Sequence, residues 1–83
     1  MTEQFAADIE AGYRKALQLN PNDVDIRLEY ARALQGLHNP VEASKQYQLA
    51  LAYNDKLNPD EPKRLALDRI KVIQKTIESL APH

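Results

Sequence analysis

A chain of 83 residues with a formal net charge of −1 and no cysteine is one small domain, held by apolar burial without disulfides or thiolate-bound metal. At this size folding buries only about 60% of the surface that the unfolded chain exposes, so the margin of stability is thin. Twelve acidic against eleven basic residues set up no long-range field for nucleic acid or an anionic membrane, and no apolar run approaches the roughly 18 residues of a span.

Ala, Leu, Gln, Glu, Lys and Arg dominate, and these residues lose least on entering a helix, so an all-α chain is expected. The first helix is predicted over residues 3–19, where Phe5, Ile9, Tyr13 and Ala16 recur at helical spacing. Pro21 ends it by forcing the preceding residue out of the helical region. Asn22 or Asp23 caps a second helix over residues 23–36, with Ile26, Tyr30, Ala33, Leu34 and Leu37 inward and Leu28 and Ala31 beside them. Gly36 is the expected left-handed stop.

Asn39-Pro40-Val41-Glu42 reads as the start of a third helix over residues 40–54: Asn39 accepts from the first turn, Pro40 has no donor to waste, and Glu42 reaches back to the cap. Its inward positions are Ala43, Tyr47, Ala50 and Leu51. A polar link containing Pro59 and Pro62 follows. The fourth helix is predicted over residues 61–80, with Ala66, Ile70, Ile73, Ile77 and Leu80 on one stripe and Arg64, Asp68, Lys71, Lys75 and Glu78 on the solvated side. Asp23 with Asp25, and Asp60 with Glu61, fall at helix starts and are expected to cap them.

Two of these helices repeat one another. Tyr13-x-x-Ala16-Leu17 returns 34 residues on as Tyr47-x-x-Ala50-Leu51, and Asn20 is echoed by Asn54. Thirty-four residues is the length of one helix–turn–helix unit in a stacked array. From Val24 to Asp55 the chain resembles most of one tetratricopeptide repeat, and Tyr13 to Pro21 resembles the second helix and exit turn of another. The Leu-Gly pair of the family pattern falls on Tyr30-Ala31, its next aromatic on Leu34, its Ala-x3-aromatic element on Ala43 and Tyr47, and its following small residue on Ala50. Arg27 stands at the Trp position, His38 and Pro40 at the turn, and Asp55 at the terminal Pro.

The resemblance implies a right-handed solenoid of about one and a half repeats plus a C-terminal capping helix, all within one domain spanning residues 1–83. Because stacked repeats need neighbours on both sides, it also implies a piece of a longer array or self-association through the open side near Phe5 and Ile9. In that family the first helix of each pair lines the concave face, which here assigns Asp25, Leu28, Glu29, Arg32 and Gln35 to a partner-binding groove. Some members grip a peptide's terminal carboxylate with Asn and Lys from these helices. The matching positions here hold Glu29 and Arg32, and Glu29 would repel a carboxylate, so a mixed-charge helix or extended peptide is the expected partner.

Reactive constellations are missing from the sequence. His38 and His83 have no partner at metal-ligand spacing, Ser44 and Ser79 have no histidine in register, and two isolated glycines build no phosphate loop. The expectation is a non-catalytic scaffold that binds another protein or a peptide, without cofactor or metal and without nucleic acid or membrane as partner; the alternative is a capping or oligomerisation module with no ligand of its own. The polar, acidic start (Met1-Thr2-Glu3-Gln4) is the reverse of a basic signal-peptide start, so a cytoplasmic rather than exported location is expected.

Overall fold

The computed structural model describes residues 2–81, with side chains from Phe5 onward. Among the described residues there are four helices: α1 (Thr2–Leu19), α2 (Val24–Gly36), α3 (Pro40–Asp55) and α4 (Leu67–Leu80). The described residues are all-helical and contain no strand. The first three helices start and stop where the local chemistry dictates. Asp23 accepts from the Ile26 amide at 3.0 Å as the cap of α2, and Asn39 accepts from the Glu42 amide at 3.5 Å, with Pro40 as the first residue of α3.

Two local expectations are corrected. Gly36 stays helical, and the left-handed residue is His38, with φ of 58°. The Asn39 amide donates to the Leu34 carbonyl at 2.9 Å and the His38 amide to the Gln35 carbonyl at 3.1 Å, which is a Schellman closure shifted two residues past the glycine. Glu42 does not reach back to the cap, because its Oε1 accepts instead from the Gln46 amide nitrogen, 3.2 Å away on the same helix face.

The fourth helix starts at Leu67 rather than residue 61. Pro59 and Pro62 each lack a donor, and Pro62 disfavours helix at Glu61, so residues 56–66 form successive turns instead. The Glu61 amide bonds the Asn58 carbonyl and the Arg64 amide bonds the Glu61 carbonyl. Asp60 and Glu61 therefore lie in the link and cap no helix; α4 begins at an extended Ala66 with no side-chain cap.

The packing is sequential. Among the described residues, backbone approach within 8 Å occurs between α1 and α2, α2 and α3, and α3 and α4, with α2–α3 by far the most extensive. The Cα trace measures 44 × 34 × 13 Å with a radius of gyration of 13.2 Å, above the roughly 12 Å of a spherical domain this long. The molecule is a slab. Val24, Leu28, Ala31, Tyr47, Ala50, Leu65 and Ile73 form the larger core, and Tyr30, Leu34 and Ala43 form a smaller one that receives Tyr13 and Leu17 from α1. Ala31, Ala43 and Ala50 are fully enclosed, small where helices meet closely.

Candidate functional site

The assigned groove residues come from α2, and helical geometry sorts them into two sets. Asp25, Glu29 and Arg32, spaced by four and three, share one solvent-exposed face. Leu28 does not belong with them. It is 1% exposed, packed with Val24, Ala31 and Ala50 in the larger core, because it lies about a quarter turn around the helix toward α3. Gln35 is half-buried, and its Oε1 accepts a short hydrogen bond from the Tyr47 hydroxyl.

That bond draws Arg32 into the same seam. Burial pushes the Tyr47 hydroxyl above the usual tyrosine range, and the neighbouring Arg32 guanidinium opposes the shift. Arg32 is exposed to solvent. At the other end of the face, Asp25 borders two shallow clefts. One is shared with Pro62, Lys63 and Arg69, the other with Pro21, Leu57 and Glu61. The exposed row of α2 is therefore continuous with charged residues of the link and of α4, a surface of mixed charge.

A second cluster went unread in the sequence. Arg27 bonds Gln46 Oε1 at 2.9 Å and the Pro21 carbonyl at 3.0 Å, and its guanidinium lies over the Tyr53 ring, 4.8 Å from the centroid. Its Nε is buried without a partner. The guanidinium over the ring is a cation–π contact between α2 and α3.

Asn54 is the other missed residue. It is fully buried, its Oδ1 accepts from the Leu65 amide at 2.8 Å, and its carbonyl accepts from Arg64, which also bonds the Leu57 carbonyl at 2.7 Å. The Asn54 side-chain nitrogen has no partner. These contacts tie the link to α3. The echo at Asn20 is exposed and does no such work, so the repeated asparagine was no guide to burial.

On α1, Tyr13 stacks on Tyr30 with ring centroids 5.4 Å apart and planes at 15°. The Tyr30 hydroxyl raises the neighbouring Arg14 guanidinium above its ordinary value, with Glu10, its ion-pair partner at 3.7 Å, reinforcing the effect. Among the described residues, no group of three or more His, Asp or Glu could hold a metal ion, and no helix is long and apolar enough to cross a membrane. A scan of protein-family models matches no family, and searches of curated proteins and of solved structures find no match.

Proposed function

We propose that this chain is a non-catalytic, tetratricopeptide-like module that holds another protein or a peptide on the exposed face of α2. The observation that carries the reading is the matched role of two tyrosines 34 residues apart. Tyr13 leaves α1 to stack on α2, and Tyr47 leaves α3 to join the cluster completed by Ile73 of α4. Each serves as a wedge between its own helix and the next, and neighbour-only packing in a flat slab is the expected arrangement of stacked hairpins. The binding face is Asp25, Glu29 and Arg32, bordered by Lys63 and Arg69. Leu28 is removed from it, and Gln35 supports it through Tyr47.

Mixed charge along the row favours a ligand of mixed charge, helical or extended, over a uniformly acidic or basic one. The test is selection from a displayed library of mixed-charge peptides, followed by titration of the best binder into Glu29→Lys and Arg32→Glu variants. A loss of about tenfold or more in affinity is expected for each. Unchanged affinity in both removes the assignment of this face. A second reading, a capping or oligomerisation module with no ligand of its own, is favoured by α1, which among its described side chains contributes no fully buried one to either core.

A further inference from the structure

The open side of α1 carries a stripe that the chain itself covers elsewhere. Phe5, Ile9, Gly12, Ala16 and Leu19 recur at alternating spacings of four and three, the seam of a helix that pairs along its length. Phe5 is 65% exposed and Leu19 75%, while Ile9 and Ala16 are half-buried where the stripe borders α2. A Cβ built at Gly12 meets nothing within 4 Å, so a neighbouring backbone has room to approach there. Thirty-four residues on, Ile9, Gly12, Ala16 and Leu19 become Ala43, Gln46, Ala50 and Tyr53. On α3 those positions are covered by α2: Ala43 lies with Tyr30 and Leu34, Ala50 with Leu28 and Ala31, and Gln46 and Tyr53 engage Arg27. The same stripe is thus closed by an antiparallel helix on α3 and left open on α1.

Charge selects the occupant. Asp8 and Lys15 are exposed along the outer border of the stripe, whereas the one ion pair among the described residues, Arg14 with Glu10, lies on the other side of α1. If a second α1 is laid antiparallel on the first, with Gly12 crossing Gly12, Phe5 meets Leu19 at both ends. Asp8 of each copy then faces Lys15 of the other. A parallel pairing would instead leave Asp8 and Lys15 of the two copies on opposite flanks of the seam, where they could not pair. Two-fold symmetry makes every favourable contact occur twice.

We propose that the Phe5–Leu19 stripe of α1 is a self-association surface, on which a second copy of this chain seats its own α1 antiparallel about Gly12. The proposal rests on α1 and is independent of the α2 face. Sedimentation velocity of the whole chain over a wide concentration range is the test, with helix content followed by circular dichroism. The wild-type chain should pass reversibly from monomer to dimer. Phe5→Glu and Leu19→Glu, both at exposed positions, should be monomeric with helix content unchanged. Asp8→Lys and Lys15→Asp should each weaken the dimer by about tenfold, since each breaks two symmetric pairs. The double variant should restore it, while Glu29→Lys should leave it unchanged. A chain monomeric at every concentration, a dimer indifferent to Phe5→Glu and Leu19→Glu, or a double exchange that fails to rescue would each overturn the proposal, the last by excluding the antiparallel register.

Discussion

The two ends of this slab solve the same problem with different means. At the C-terminal end, α3 meets α4 through Tyr47, Leu65 and Ile73 in one continuous core, and Asn54 and Arg64 fasten the intervening link by its backbone. At the N-terminal end, α1 meets α2 mainly through a stacked tyrosine pair and a half-buried Leu17, and its outer face is bare. The two tyrosines, 34 residues apart, differ in their surroundings. Tyr47 is buried and has a hydrogen-bond acceptor in Gln35, whereas Tyr13 remains half-exposed. A tyrosine thus sits in a closed joint where a helix and an ordered link lie on it, and in a loose one where neither does.

Cavity formation probes the contrast most strongly. Ile73→Ala removes a side chain that is 6% exposed, and should cost about 2–4 kcal/mol in urea unfolding. The matching truncation at the other joint, Leu17→Ala, should cost about 1 kcal/mol, because that side chain is already half in water. Equal costs would break the comparison. Asn54→Ala comes next. It leaves the buried Leu65 amide without its acceptor and should lower stability by about 1–3 kcal/mol, with amide exchange accelerated in residues 56–66 before it changes in α1.

The smallest effect is one of pH. Burial raises the Tyr47 hydroxyl above its ordinary value of 10.0 in the folded chain, so the unfolded chain ionises there first. The stability this group contributes is complete below pH 10 and is lost as pH climbs through its folded value. Tyr47→Phe should therefore flatten the alkaline decline in stability measured by thermal melts, relative to wild type. An unaltered decline would deny the tyrosine its enclosed setting.

Much of the architecture was legible in the residues. Helical spacing of apolar positions, Asp23 and Asn39 as caps, and Pro40 at a first turn located α2 and α3 to within a residue. These signals are local, acting across one helical turn. The start of α4 was misread because Asp60 and Glu61 look like the caps of a helix start, whereas Pro59 and Pro62 and the tether from Asn54 to Leu65, eleven residues apart, hold the preceding segment in turns. The exposure of Asp25, Glu29 and Arg32 follows from helix phase, but the burial of Leu28 needed knowledge of which side α3 takes. Arg27 and Gln46 meet across 19 residues of sequence, and no pattern within either helix announces such a pair.

Arg27 also governs how α1 is set against the rest. One guanidinium grips the carbonyl of Pro21 in the first turn, the amide of Gln46 and the ring of Tyr53, so the elbow between α1 and α2 is riveted to α3, a helix it never adjoins in sequence. A lysine keeps the charge but offers one compact ammonium in place of a flat fork, and cannot serve carbonyl, amide and ring together. The turn before α2 and the middle of α3 are in this sense clasped by one cation.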